Sequence, residues 1–350
     1  MSEMIYTDAC KQAIVEEMRG DSRVFVMGQD VQTGSYADVL AEFGPERIRN
    51  TPISETGFFG AAIGAALTGM RPIVEGAFST FFYSAMDQIV SQAAKSRYMF
   101  GGQASVPVVI RAFVAYTISA AAHHSDRPWG LFAQVPGLKI VVPTTARDGK
   151  GLLKSAIRDG NPVLFFDDCT VAGARDEVPD EEYTVPLGVA DVKRVGSDLT
   201  IVAVGGSVPH SLTAAKTLES EGISAEVVDV RTVVPLDRQT ILASVKKTGR
   251  LIVADPAPLM CSVASEIAAT VAELGFDSLR APIARLTAPD IPVPFSPALE
   301  RLMYPSAESI AATARKLWTR KSSTSGVLNA KDGNSGLSAG WESSRAAAIG

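Results

Sequence analysis

The chain has 350 residues, of which 46% are hydrophobic and 20% charged, and its formal net charge is -5. This composition is typical of a globular protein with one large domain or two ordinary ones. The acidic balance and the lack of a long basic run argue against nucleic acid as a partner. No apolar run reaches the roughly 18 residues of a membrane span without small or polar breaks.

The cysteines and the first residues indicate the compartment. Cys10, Cys169 and Cys261 are widely separated and have no CxxC spacing. This favours thiols in a reducing compartment over a disulfide framework or a zinc site. The opening MSEMIYTDACKQAIVEEMRGD predicts an amphipathic helix that carries acids, unlike a signal or transit peptide. We therefore expect a cytoplasmic protein.

Short apolar runs alternate with segments of helical periodicity as far as residue 168. The predicted strands are RVFVMG (23–28), IRNTPI (48–53), RPIVEG (71–76), VPVVIR (106–111), LKIVVP (138–143) and PVLFFDD (162–168). The predicted helices between them start at Glu55 and span 84–99 and 146–160. This alternation predicts a parallel sheet that is covered by helices on both faces.

A second alternating series follows the acidic, proline-containing segment DEVPDEEYTVPLG (176–188), which predicts a surface linker. Its predicted strands and helices alternate at 198–206, 210–222, 224–235, 237–249, 250–255 and 263–275. We therefore predict two α/β domains with parallel sheets, at residues 1–185 and 186–318. Residues 319–350 are rich in Ser and Gly and predict a tail.

Glu55 is the single acid at the head of the run ISETGFFGAAIGAALTG (53–69), and Ser54 before it can cap the helix. A first-turn acid also complements the helix dipole, so position alone leaves structural and functional roles open. Glycine costs roughly 1 kcal/mol relative to alanine inside a helix, so repeated glycines predict close packing against another backbone. The run contains four of them, Gly57, Gly60, Gly64 and Gly69.

Two of the three histidines, His123 and His124, lie in AAHHSDRPWG, in a long connection that follows a predicted strand. Such connections carry ligands in open α/β sheets, and histidine exchanges protons near neutral pH. A structural role stays open for both residues. The segment GDS (20–22), with Asn50 downstream, only partly matches the GDG…N pattern of a metal–diphosphate site, because it lacks the third glycine.

Several motifs follow one another in a recognisable order. They are TPISETGFFGAAIGAALTGMRPIVE, AMDQIVSQAAKSRYM, VPGLKIVVPTTARDGKGLLKSAIRDGNPV, RTVVPLD and PDIPVPFSPALE. Together they resemble the beta subunit of the thiamine-diphosphate-dependent 2-oxo acid dehydrogenases, including the pyruvate, branched-chain and acetoin types. The resemblance covers about residues 4–318. It implies a pyrimidine-binding domain followed by a transketolase-type C-terminal domain.

The resemblance also implies cofactors and partners. An alpha chain would hold the diphosphate and magnesium, this chain would hold the aminopyrimidine ring, and two copies of each would form a heterotetramer. The enzyme would decarboxylate a 2-oxo acid or cleave an acyloin, and then pass the acyl group to the lipoyl domain of an acyltransferase.

By the same resemblance, Glu55 hydrogen-bonds the aminopyrimidine ring, Phe81 and Ala77 border that ring, and His124 assists proton transfer and acyl transfer. Some relatives hold a structural potassium ion. The matching positions here are the carbonyls of Val108, Ala156 and Ile157, together with Asp159 and Asn161.

Three departures keep other functions open. Gln29 stands where the family has an acid, the loop AFVAYTISAAAHHSDRPWG (112–130) is bulkier than usual, and DPAPLMCSVASEIA (255–268) replaces a glycine-rich turn. One alternative is a thiamine-dependent carboligase or split transketolase with a non-lipoyl acceptor. The other is a non-catalytic subunit that stabilises an alpha partner.

Overall fold

The computed structural model describes residues 1–115 and 117–319. The strands within these residues are short, with three to eight residues each. They are β1 (Ser2–Ile5), β2 (Val24–Gly28), β3 (Ile48–Asn50), β4 (Arg71–Phe78), β5 (Val109–Val114), β6 (Lys139–Val141), β7 (Val163–Asp168), β8 (Arg175–Val178), β9 (Asp191–Arg194), β10 (Leu199–Ala203), β11 (Ala225–Asp229), β12 (Thr232–Val234), β13 (Leu251–Pro258) and β14 (Ala284–Ala288).

The α-helices of the described residues connect these strands. They are α1 (Tyr6–Gly20), α2 (Leu40–Phe43), α3 (Glu55–Leu67), α4 (Ala94–Met99), α5 (Trp129–Ala133), α6 (Ala146–Arg158), α7 (Ser207–Glu219), α8 (Arg238–Thr248), α9 (Val263–Leu274), α10 (Pro297–Glu300) and α11 (Ala307–Thr319). A 3-10 segment at Ser79–Ala85 and a π-helical segment at Asp87–Ala93 lead into α4. None of these helices is long and apolar enough to cross a membrane.

The strands form two large sheets. The first has the order β12-β6-β7-β5-β4-β2-β3 and the second the order β14-β13-β10-β11-β9. All neighbours are parallel except β12 with β6 and β9 with β11. Strands β2, β7, β10 and β11 are buried along their whole length, as expected where helices cover both faces of a parallel sheet. The predicted α/β architecture of two mostly parallel sheets is confirmed.

Hydrophobic packing joins the two halves. One apolar cluster contains Phe59 of α3, Val142 after β6, Val228 of the second sheet and Ile241 of α8. The outer face of the first sheet is covered by α1 and α6, and the outer face of the second by α7 and α11. The first and second halves of the chain therefore share one hydrophobic core.

Two predictions of local structure need correction. Residues 224–235 are two strands, because the chain leaves the second sheet after Asp229 and β12 pairs with β6 in the first sheet. The first residues are not helical, since β1 pairs antiparallel with β8, at the start of the predicted linker. Apart from Thr319, the predicted tail lies outside the described residues, and the domain bounds at 185 and 186 stay a prediction.

Helix α3 also differs from expectation. Ser54 precedes it, but its side chain makes no capping hydrogen bond. A Cβ at Gly57 would come within 3.1 Å of Ser54 Oγ, whereas a Cβ at Gly64 or Gly69 would meet nothing within 4 Å. Within the described residues these glycines therefore pack against no other backbone, and close packing against another chain stays a prediction.

Candidate active site

The carboxyl edge of the first sheet carries the candidate site. Strand β4 ends at Phe78 and continues into the 3-10 segment Ser79–Ala85, which holds Phe81. The neighbouring parallel strand β5 leads into the connection that holds His124. Because parallel strands end at the same edge, two segments that are distant in sequence arrive side by side, as ligand sites in such sheets require.

The His124 ring lies against two aromatic rings. Its centroid is 4.7 Å from that of Phe78 and 5.5 Å from that of Phe81, and both contacts are edge-to-face. The Phe78 and Phe81 centroids are 6.0 Å apart. Such contacts contribute roughly 0.5–1.5 kcal/mol beyond burial. The structure therefore brings together two of the predicted residues and adds Phe78, which sequence reasoning left among the core aromatics.

Side-chain hydroxyl groups of the 3-10 segment donate hydrogen bonds to the connection that holds His124. Ser79 Oγ donates to the Asp126 carbonyl at 2.7 Å, and Thr80 Oγ1 donates to the carbonyl of His123. Tyr83 donates to the Asp126 carboxylate at 3.0 Å. Burial, together with this carboxylate, raises the pKa of the Tyr83 hydroxyl well above its ordinary value. The phenol thus stays protonated and keeps donating.

Glu55 is the first residue of α3 and is half-buried. The next residue, Thr56, donates its hydroxyl to the Ser84 carbonyl at 2.5 Å, which ties the helix start to the segment that carries Phe81. Phe59 and Phe82 make a second link, with centroids 5.6 Å apart. Within the described residues, the Glu55 carboxylate has no hydrogen-bond or ion-pair partner, so it is free for a ligand.

Ala77 lies in a bulge of β4. Its φ is 54°, and the pairing of β4 with β5 shifts between Glu75 and Phe78. A Cβ at Gly76 would come within 2.7 Å of Phe82 Cε1, so glycine is needed there. The bulge leaves Ala77 exposed at the edge of the sheet. The Gly76-Ala77 pair was the feature of the sequence that could have indicated the bulge.

Gln29 follows β2 at the same edge of the sheet and is exposed. Its side-chain amide donates to the Asp30 carboxylate at 3.2 Å. Because an amide does not titrate, this position cannot relay a proton as a carboxylate would.

A buried ionic network lies behind the site and was missed by sequence reasoning. Arg111 Nε contacts Asp167 Oδ2 at 2.6 Å, and its Nη1 contacts Glu75 Oε1 at 3.1 Å. Tyr6 donates to Asp167 at 2.6 Å, and Tyr36 donates to Glu75. The indication in the sequence was the pair of acids that ends the apolar run PVLFFDD. This network pins β4, β5 and β7 together just below the site.

The predicted potassium position is occupied by protein cations. Arg71 Nη1 donates to the carbonyls of Ile157 at 2.6 Å and Asp159 at 3.1 Å. The Asp159 carboxylate pairs with Lys139 Nζ. A potassium ion at these oxygens would have to displace the guanidinium.

The remaining atoms of that position also have protein partners. The Val108 carbonyl accepts from Val163 N at 2.9 Å, and the Ala156 carbonyl accepts from Asp159 N at 3.3 Å. Asn161 Nδ2 donates to Asp159 Oδ1 at 2.8 Å. A carbonyl oxygen has a second lone pair, so the feature that opposes a potassium ion here is the Arg71 guanidinium on the Ile157 and Asp159 carbonyls.

We expect the thermal midpoint of the chain to be equal in potassium chloride and in choline chloride at the same ionic strength. Arg71→Met should lower stability by about 1–3 kcal/mol, because it leaves two carbonyls without a donor. The exposed Arg19→Met is the matched control, with an effect near zero to 1 kcal/mol. A rise in the wild-type midpoint that is specific to potassium would contradict this account.

No cluster of three or more His, Cys, Asp or Glu side chains in residues 1–115 and 117–319 is arranged to hold a metal ion. The segment 20–22 is the end of α1 and the following turn, where Asp21 pairs with Arg23 at 2.7 Å. The chemical groups at the candidate site are the Glu55 carboxylate, the His124 imidazole and the rings of Phe78 and Phe81.

Comparison with known proteins identifies the family. Residues 2–168 match the transketolase pyrimidine binding domain, and residues 188–310 match the transketolase C-terminal domain. The chain is 46% identical over 328 residues to the acetoin:2,6-dichlorophenolindophenol oxidoreductase subunit beta of Bacillus subtilis (strain 168), covering 89% of this chain and 96% of that one. This chain belongs to the beta subunits of the thiamine-dependent 2-oxo acid and acetoin dehydrogenases.

Other members of these beta subunits are nearly as similar. The 2-oxoisovalerate dehydrogenase subunit beta of B. subtilis (strain 168) is 44% identical, covering 91% of this chain and 99% of its own. The pyruvate dehydrogenase E1 component subunit beta of the same organism is 43% identical with the same coverage. A solved structure described as a split gene transketolase, an inactive beta4 tetramer, has a TM-score of 0.76 and 26% identity, covering 91% of this chain and 99% of its own.

Proposed function

We propose that this chain is the beta subunit of an enzyme that decarboxylates a 2-oxo acid or cleaves an acyloin and transfers the acyl group to a lipoyl domain. The single observation that carries the proposal is the half-buried carboxylate of Glu55, which has no partner among the described residues, on a helix start tied to the segment whose Phe81 contacts His124. A carboxylate, an aromatic edge and an imidazole are the groups that a protonatable heteroaromatic ring and a carbonyl substrate need.

Thiamine diphosphate, when bound, supplies the carbon nucleophile that attacks a carbonyl group. Glu55 would accept a hydrogen bond from the ring nitrogen of its aminopyrimidine and hold the proton there. Phe81 and Ala77 would border the ring. The imidazole of His124 would give or take a proton at the substrate oxygen, since an imidazole can act as a general acid or a general base.

We propose an alpha chain as the partner that holds the diphosphate and magnesium, in a tetramer of two alpha and two beta chains. Two surfaces support this. Helix α3 exposes a face of small residues, Gly57, Ala61 and Gly64, which permits close approach of another helix. Tyr98, Met99 and Phe100 are 90%, 74% and 58% exposed at the end of α4 and form an apolar patch of the kind that subunits cover.

The test uses the chain co-purified with the alpha-type partner of the same organism. Calorimetric titration with thiamine diphosphate and magnesium should give binding to the complex and much weaker binding to the beta chain alone. A screen of 2-oxo acids and acyloins with a dye acceptor should then give turnover with one class. Absence of cofactor binding by the complex would overturn the proposal.

The second candidate is a split transketolase or carboligase that delivers to an aldehyde. The observation in its favour is the fold shared with a split gene transketolase over 91% of the chain. Cofactor binding with aldehyde-dependent product formation, and without dye reduction, would select this function. Binding without either activity would select a non-catalytic subunit.

A further inference from the structure

The segment that precedes His124 has a backbone that requires outside support. Thr117, Ser119 and Ala121 have φ values of 62°, 58° and 56°, all in the left-handed region that favours glycine. Such a conformation is unfavourable for a residue other than glycine and persists only where surrounding contacts impose it. Thr117 is also β-branched, which makes this conformation still less favourable. Contacts from elsewhere in the chain must therefore hold the segment.

Glu300 supplies these contacts from the second half of the chain. It is the last residue of α10 and is 1% exposed. One carboxylate oxygen accepts from the Thr117 backbone N–H at 2.7 Å, and the other accepts from the Ser119 backbone N–H at 3.0 Å. Hydrogen bonds to a charged acceptor are roughly twice as strong as neutral ones. Both of these N–H groups belong to residues in the left-handed conformation, Thr117 and Ser119.

A residue close to Glu300 also contacts the segment that follows His124. The Arg127 guanidinium lies over the Tyr304 ring, with its Cζ 4.2 Å from the ring centroid. Arg127 is 5% exposed and donates from Nη1 to the Ser125 carbonyl at 2.5 Å. His124 is thus bracketed between a segment bound by Glu300 and a side chain stacked on Tyr304. Residues 300–304 set both ends of the histidine loop.

We propose that Glu300 is a positioning residue that fixes the 117–121 backbone and thereby orients the His124 ring against Phe78 and Phe81. This inference rests on the proposed function, because it concerns the histidine that would serve the substrate. Glu300 acts only through the loop, since its carboxylate is committed to the two backbone N–H groups. The feature was not visible in the sequence, where Glu300 and Thr117 are 183 positions apart.

The first test uses Glu300→Gln in the complex with the alpha partner. Glutamine keeps the shape but turns an amide N–H₂ toward one of the backbone donors. We expect kcat to fall about tenfold, which corresponds to the loss of one charge-assisted hydrogen bond, with the affinity for thiamine diphosphate nearly unchanged. Glu273→Gln, an exposed acid of α9, is the matched control and should match the wild type. Equal losses in kcat and in cofactor affinity would indicate a merely structural role and overturn the proposal.

A second test separates the positioning role from the proposed function. The complex, labelled at histidine carbon, is examined by NMR, with His124 assigned from the His124→Gln variant. The two flanking aromatic rings shift the His124 resonance from its free value, and Glu300→Gln should move it back toward that value. His210, on α7, is the internal reference and should not move. If no substrate is turned over but the His124 resonance moves, the proposed function fails and the positioning role stands. An unmoved resonance overturns the positioning role.

Discussion

Replacing Glu55 with glutamine should lower turnover at least about a hundredfold, the scale expected when a positioned proton-transfer group is lost. The carboxylate is half-buried at the start of α3 and has no partner among the described residues, and in the proposed function it meets the cofactor ring. Glutamine can still reach the ring, but it cannot hold a proton between itself and a ring nitrogen. The measurement is kcat of the complex with the substrate class found in the dye assay.

The fold should survive this change. The Glu55 side chain makes no hydrogen bond to the residues that the structure describes, so its replacement loses only the favourable contact with the helix dipole, a few tenths of a kcal/mol. Glu46→Gln, an acid with an 89% exposed side chain, serves as the control for loss of one negative charge. Turnover of Glu55→Gln equal to that of the Glu46 variant would show that the carboxylate has no part in the reaction.

Asp167→Ala should lower the free energy of unfolding by about 3–5 kcal/mol, because it removes one partner of a buried ion pair. Asp167 is fully buried and accepts from both Arg111 and Tyr6, so the change leaves two donors without this acceptor. Arg111 would retain its contact with Glu75 at 3.1 Å and a longer one with the Tyr36 hydroxyl at 3.4 Å. Urea denaturation of the chain measures the difference.

The control for this prediction is Glu42→Ala, which breaks the exposed pair with Arg19 and should cost at most about 1 kcal/mol. A second comparison is Arg111→Met combined with Asp167→Ala. Removing both charges should recover part of the loss, because no unpaired charge then stays buried. If Asp167→Ala and Glu42→Ala cost the same, the network is not a stabilising feature of the sheet.

The strands and long helices were predictable because their patterns are local. The run RVFVMG became β2 almost residue for residue, and the helix predicted at 146–160 is α6 with its end at Arg158. The predicted strand 224–235 was wrong because apolar residues continue through Val230, and no periodicity records that a chain has changed sheets. Short strands such as β1 depend on a partner, here β8, and leave little trace in the sequence.

At the site, the residues carried by motifs were predictable and those carried by tertiary contact were not. Phe81 and His124 do meet, through β4 and β5. Phe78 had no feature that separated it from a core aromatic. The sequence did not reveal that Arg71 lies at the predicted potassium position, because backbone carbonyls accept a guanidinium as readily as an ion. Which group donates to a backbone carbonyl is decided by the fold and not by the type of residue that carries the carbonyl.

Strand β12 limits how this chain can be divided or recombined. Thr232 and Val234 pair with Val141 and Ile140 of β6, so a fragment ending near residue 185 would lack the strand that closes its own sheet. The bare edge of β6 would offer unpaired N–H and C=O groups to other chains, which is a common origin of aggregation. A chimera that exchanges the second half for that of a related subunit meets the same requirement. The new β12 must pair with a β6 edge that evolved in a different protein.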